Sequence, residues 1–203
     1  MPMKKAAVRR MSAVPRNSAG DRLVALIAEQ WKREVPEGYL PKIADSLALI
    51  SDEEIWWRPN DASNSLGNLV LHLRGNIGQW ILAGLGGIEF VRKRDMEFSE
   101  KGPIPREELI EKLRVTVRKA TQVIKAMSAA DLLHSYGIQG YNVTGYEAAI
   151  HVTTHFAYHA GQIIYVAKMK RAQDLGFTKL PALPAGKKLP AKRRSDPLFP
   201  IKI

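Results

Sequence analysis

Apolar residues recur at three- and four-residue intervals along most of this chain, and sustained alternation is nearly absent. That period predicts amphipathic helices. The first is expected from about Gly20 to Glu34, capped by Asn17 or Ser18, with Leu23, Leu26, Ile27, Gln30 and Trp31 as its inner stripe. Pro36 and Pro41 are expected to break it, and a second piece follows over Leu40–Ile50 with Ile43, Leu47 and Ile50 buried. Ser51-Asp52-Glu53-Glu54 reads as a capping box for a short turn before Pro59. Ser63 or Ser65 opens a strong helix to about Gly84, whose apolar face is Leu66, Leu69, Val70, Leu73, Ile77, Trp80 and Ile81; Gly86 and Gly87 stop it.

Residues 88–104 read as an irregular connection with room for a crossover. Pro105 then suits the first position of a helix running to about Met127, with Leu109, Leu113, Val117, Ala120 and Ile124 facing inward. Ser128–Leu133 adds one turn, and Ser135–Val143, with Gly137 and Gly140, reads as a small hairpin or irregular loop. Thr144-Gly145-Tyr146-Glu147 is another capping box and starts the last long helix, to about Arg171. The pattern therefore predicts an all-α four-helix bundle over residues 17–171. Residues 1–16 read as a disordered basic tail, and 172–203, punctuated by prolines from Pro181 to Pro200, as an extended Pro/Lys-rich one.

Charge sharpens this division. The net charge is +11, but residues 1–20 and 172–203 each carry +5, leaving +1 for the body between them. Basic tails of this kind are usually solvated, and no aromatic residues interleave with the N-terminal cations, so nucleic acid is not an expected partner. The chain has no cysteine, which excludes disulfides, zinc–thiolate sites and a thiol nucleophile. No apolar run reaches the roughly 18 residues of a membrane span. The basic start lacks the apolar stretch of a secretory signal, although it has a transit-peptide composition, and Met11 is an alternative start. A cytoplasmic location is the resulting expectation.

Candidate chemistry lies in the histidines. His151, His155 and His159 stand four residues apart on the last helix, and only neighbours at this spacing can share one ion, because His151 and His159 lie about 12 Å apart along the axis. His72 lies on the helix after Ser65, in a polar strip with Ser65, Asn76 and Gln79; His151, His155, His159 and Gln162 form a matching strip. One histidine on a facing helix plus an i, i+4 pair makes a three-imidazole metal site with open positions for water or substrate. No general base is written beside the ligands, since the helix lacks His-Glu-x-x-His. Trp56, Trp57 and Trp80 read as core rather than as a substrate platform.

Three segments resemble a known family. Tyr158-His159-Ala160-Gly161-Gln162-Ile163, with His155 before it, resembles the closing signature of the DinB-like superfamily. Asn64-Ser65 leading to Leu71-His72-Leu73-Arg74-Gly75-Asn76, and Arg94-Asp95-Met96-Glu97-Phe98, are similar to its DUF1572 branch. The resemblance covers roughly residues 20–170. It implies a DinB-like four-helix bundle with a long crossover connection, and a divalent ion (zinc, nickel or iron) on His72, His155 and His159. His151 then falls outside the triad. Gln162, Asn76 and His151 are candidates to orient ligands, and Arg94, Asp95 and Glu97 to pin the long connection by ion pairs and caps. Some superfamily members resemble small-thiol transferases, but the catalytic residues, substrate and reaction of this branch stay open. The leading expectation is a metal-dependent enzyme activating water or a small thiol. The alternative is a non-catalytic, metal-stabilised homodimer acting in stress or interaction, and a third is nucleic-acid binding through the tails.

Overall fold

The computed structural model describes residues 18–177, so both basic tails lie almost wholly outside the described residues. Seven α-helices and one hairpin frame the described residues: α1 (Ala19–Glu34), α2 (Leu40–Ala48), α3 (Leu66–Ile77), α4 (Arg94–Ser99), α5 (Arg106–Ala126), α6 (Ala129–Leu133), β1 (Ser135–Ile138), β2 (Tyr141–Thr144) and α7 (Gly145–Arg171). Four starts are fixed by reciprocal capping, in which a hydroxyl accepts the N3 amide while the N3 side chain accepts from the cap. Ser18 caps α1, Ser65 caps α3, Ser128 caps α6 and Thr144 caps α7.

The prolines do not break the first helix as expected. Val35–Tyr39 forms a π-helical turn carrying Pro36, and Leu40 N–H bonds back to Val35 O before α2 begins with Pro41 in its first turn. Widening the turn shifts the hydrogen-bond register, so the missing proline N–H groups fall where no partner is required. α3 is likewise continued by a π-helical stretch, Gly78–Leu85, before Gly86 ends it. Pro105 caps α5 rather than entering it. The 88–104 connection is not wholly irregular, since α4 lies within it. A six-residue helix cannot stabilise itself, and side chains hold this one in place. Asn68 Nδ2 donates to Glu97 O at 2.9 Å and Glu100 O at 2.8 Å, and Arg58 donates to Phe98 O at 2.6 Å.

The α1–α2 unit and α3 occupy opposite corners of the bundle, and α5 and α7 each pack against both. Residues 49–65 and 127–144 therefore cross the bundle between opposite corners, while the α4 connection joins neighbours. Between the four lie Ile43, Leu47, Leu73, Ile77, Leu113, Val117, Val152, Phe156 and Ile163, all excluded from solvent. Trp31 is buried and donates its indole N–H to Thr121 Oγ1 across to α5 at 2.9 Å. Leu23 and Leu26, expected on the same inner stripe, instead are exposed at 51% and 67%, lining an open cleft with Tyr146, Ala149 and Ile150 at the start of α7. Trp80 is buried, Trp56 half-buried, and Trp57 exposed, unlike the core position expected for it.

The hairpin pairs Ser135 with Thr144 and Ile138 with Tyr141, leaving Gln139 and Gly140 as the two-residue turn. Both have positive φ, 54° and 82°, as the tight hairpin turn that follows strand twist requires. No described helix is long and apolar enough to cross a membrane. Leu113 has no exposed surface, so Leu113→Ala should cost about 2–5 kcal/mol in urea unfolding. A loss under about 1 kcal/mol would contradict the packing of α5 described above.

Candidate metal centre

α3 and α7 bring His72, His155 and His159 to one point, with one ring nitrogen of each within 4.8 Å of the others. His155 Nε2 lies 3.1 Å from His72 Nε2 and 3.2 Å from His159 Nε2. Tetrahedral coordination at about 2.0–2.1 Å per bond separates ligand nitrogens by about 3.3 Å; the two separations from His155 match that, and the His72–His159 pair, within 4.8 Å, would close in around a shared ion. His72 is buried and the other two are half-buried.

The outer nitrogens fix the tautomers. His72 Nδ1 meets Glu97 Oε2 at 2.9 Å, and His159 Nδ1 meets Gln162 Oε1 at 2.7 Å. An ionised carboxylate accepts only. Arg92 Nη2, which can only donate, also lies 3.1 Å from His72 Nδ1; with the shorter contact to the carboxylate taken as the hydrogen bond, the His72 proton sits on Nδ1 and its Nε2 lone pair points at His155, and Gln162 Oε1 does the same for His159. Two lone pairs thus converge on the nitrogen of a third imidazole, which can offer a proton to only one of them. A cation satisfies all three together. His155 Nδ1 is buried without a partner among the described residues, so nothing there dictates its tautomer.

Glu97 is held in turn. Arg92 donates Nε to its Oε1 and Nη2 to its Oε2, both at 2.7 Å, and Nη1 to Gln79 Oε1 at 3.0 Å. Gln79 also accepts from Gln139 at the hairpin tip, and Gln139 Oε1 accepts from Trp80 Nε1 at 3.1 Å. A chain of polar contacts therefore runs from the hairpin through Arg92 and Glu97 to His72. Gly75 makes room for it, because a Cβ there would overlap Glu97 Oε1. The Phe98 ring lies 4.8 Å from that of His72, beneath the Arg94 guanidinium.

Burial sets the protonation states. Desolvation, and then repulsion from His159, His72 and His151, pushes His155 down to about 3. Desolvation also lowers His159 and His151. Burial alone would raise the Glu97 carboxyl, but the hydrogen bonds from Arg92 and His72 outweigh it and hold the group below its usual range. The group at neutral pH is thus neutral His155 and His159 beside a charge-compensated Arg92–Glu97 pair, and neutral is the state in which imidazoles can hold a cation.

His151 lies outside the converging nitrogens. Its ring stacks on Trp80 at 4.0 Å between centroids and stands 5.6 Å from that of His155. Asn76 is buried beside the site, with its Oδ1 unpartnered among the described residues. Glu97 does more than pin a loop, since it contacts a candidate ligand directly. Arg92, Asn68 and Arg58 were not singled out in the sequence; the Arg94–Phe98 motif was the one available signal for this connection. Arg94 stacks on Phe98, and Asp95 lies exposed in the first turn of α4.

These features define a helical bundle with a three-histidine centre, and comparison with known proteins agrees with the bundle. A crystal structure of a DinB-like protein from Bacillus cereus ATCC 10987 superposes with a TM-score of 0.56 at 16% identity, covering 72% of this chain and 91% of that one. The chain belongs to the DUF1572 family, described as proteins of unknown function, whose model matches residues 29–183. Its fold is thus DinB-like, and its family is DUF1572. No curated protein matches it.

Two predictions follow from this geometry. Gly75→Ala should push Glu97 off His72 and lower zinc affinity about 10–100-fold, measured by competition with a chromophoric chelator; unchanged affinity would mean that Glu97 does not orient the ligand. The second concerns pH. Between about 3 and 6.5, unfolded His155 binds a proton that folded His155 refuses, so the stability of chelator-treated protein should fall as pH drops through that window. The lowered Glu97 acts in the same sense, its contribution disappearing as pH falls through its depressed value. His155→Gln should flatten the urea-measured slope, whereas an unchanged slope would place the titration elsewhere.

Proposed function

We propose that this protein binds one divalent ion through His72, His155 and His159 and uses it to activate water or a small thiol. The observation that carries this reading is the convergence of the His72 and His159 lone pairs on His155 Nε2, with Glu97 and Gln162 holding the outer protons. Three neutral imidazoles leave the ion its full charge and open positions, so a bound water or thiol would lose its proton near neutral pH. The protein's own residues supply orientation and shelter. Glu97 and Gln162 fix the imidazole planes, and Arg92 keeps Glu97 ionised.

A substrate approach lies beside Gln162. A cavity of about 340 Å³ is walled there by Trp57, Asn64, Leu69, Tyr165 and Val166. None of its lining residues is acidic, basic or a histidine, so the wall offers no general base. That favours a nucleophile whose proton is lost through the ion itself. The metals suited to three imidazoles are zinc, nickel and ferrous iron. Protein purified without a His-tag should contain about one equivalent of a divalent metal, and His155→Ala should lose it. Metal-free wild type after reconstitution, or a variant that keeps its metal, would end this reading.

A second reading, a non-catalytic metal-stabilised homodimer, has a separate observation in its favour. α7 carries no Asp, Glu, Lys or Arg from 148 to 167, whereas α5 carries nine in 21 residues. Yet Tyr158 and Tyr165 on α7 are 65% and 70% exposed, and Ile150 is exposed one turn before Thr154. An uncharged, aromatic helix face fits a second copy better than solvent. Sedimentation should give a dimer that Ile150→Glu converts to monomer. A monomeric wild type would remove the dimer reading and leave the metal proposal standing.

A further inference from the structure

A second cavity, of about 230 Å³, is bordered by Glu97 and lies between α3 and the connection carrying α4. It has no histidine in its wall and is built differently from the cavity beside Gln162. Arg74, Arg92 and Lys93 supply cationic wall, while Phe90, Met96 and Ile104 supply apolar wall.

The charges of this wall are unequally used. Arg92 is fully engaged by Glu97 and Gln79. Glu97 is neutralised by Arg92, and Glu100 turns its Oε1 to the backbone N–H groups of Lys101 and Gly102, each at 2.9 Å. Arg74 remains. Its guanidinium lies 5.6 Å from the Phe90 ring centroid, and its Nε is buried with no hydrogen-bond partner among the described residues. An arginine whose N–H is removed from water without an acceptor forgoes a charge-assisted bond. Stacking on Phe90 holds it as a flat fork, the geometry that recognises carboxylate or phosphoryl oxygens. Lys93 is exposed at the rim, where a second cation would meet the same anion.

We propose that this cavity is an anion site, taking the carboxylate or phosphoryl group of a small amphiphile on Arg74 and Lys93 and its apolar body against Phe90, Met96 and Ile104. At about 230 Å³ it is smaller than the roughly 300–1,000 Å³ usual for drug-sized ligands, which restricts it to small ligands such as short-chain acids. The proposal does not rest on the metal, because no cavity-facing donor it uses is a candidate ligand.

The test uses full-length, chelator-treated protein with isotopically labelled Met and Ile methyl groups, titrated with hexanoate, inorganic phosphate and uncharged hexanol at constant ionic strength. Hexanoate should raise the melting temperature, shift the Met96 and Ile104 methyl resonances and bind more tightly than hexanol. Phosphate binding at the same site would place the preference on the head group, whereas its failure beside hexanoate would place it on carboxylate with an apolar body; either supports the anion site. Arg74→Gln should weaken hexanoate about tenfold or more, and Lys93→Gln by a smaller factor. If Arg74→Gln loses its helical circular dichroism, Lys93→Gln and the hexanoate–hexanol comparison decide. Equal binding of hexanoate and hexanol, no methyl shift, or a folded Arg74→Gln that binds as wild type does would overturn the proposal. Because the protein is metal-free throughout, a negative result here leaves the three-histidine reading untouched, and loss of metal binding leaves this one untouched.

Discussion

A carboxylate buried beside the bundle core has to be compensated, and Glu97 sets the terms for everything around it. An ionised group this far from water is costly unless paired and hydrogen-bonded. Arg92 covers both oxygens, and His72 takes one of them again from the other side. Each partner is thereby fixed by the requirement to satisfy the same charge. That requirement reaches back into the chain, to Gly75, whose missing side chain leaves the space, and to Asn68 and Arg58, which hold the backbone of α4 so that Glu97 arrives at all. The six-residue helix exists because tertiary contacts replace the stability it lacks by itself.

The bundle tolerates this because its long helices bend their register where needed. The π-helical stretch after Ile77 lies immediately beyond Asn76, in the same helix as His72. A π turn inserts one residue and rotates everything after it relative to everything before. Trp80 is thus delivered to the His151 ring and Gln79 to Arg92, while Ile81 and Leu82 still reach the core. The wide turn at Val35–Tyr39 serves another need, carrying the chain past two prolines without losing the helix.

Elements whose signal is local were readable from residues alone. The Thr144 cap, the burial of Leu113 and Val117, and the α3 start at Ser63 or Ser65 follow from spacing and side-chain type, whereas Ser135–Val143 could be read only as a small hairpin or an irregular loop. Pro36 and Pro41 misled because a proline announces a lost hydrogen bond but not whether the helix widens or ends. Leu23 and Leu26 misled because periodicity marks a face without saying whether a neighbour closes over it. At the site, the four-residue ladder on α7 limited the choice to two adjacent pairs, and His72 was placed opposite them by its polar strip. Arg92 and Asn68 stayed invisible, because their partners are a side chain and carbonyl groups brought near only by the folded connection.

The three imidazoles are not equivalent, and the difference follows from what sits behind each one. His72 is backed by a charge and His159 by a neutral amide, so both rings are turned before any ion arrives. His155, between them, has an Nδ1 without a partner among the described residues and a strongly depressed proton affinity. Its Nε2 lies close to both neighbours, so its position is fixed by the helix that also carries His159 and not by a hydrogen bond of its own. The geometry of the group is thus imposed from the two flanks, and the central imidazole is kept neutral by burial among the others. If a cation is bound there as proposed, such a centre would need little reorganisation, because the orienting contacts are already made and the one uncommitted nitrogen would face away from the ion.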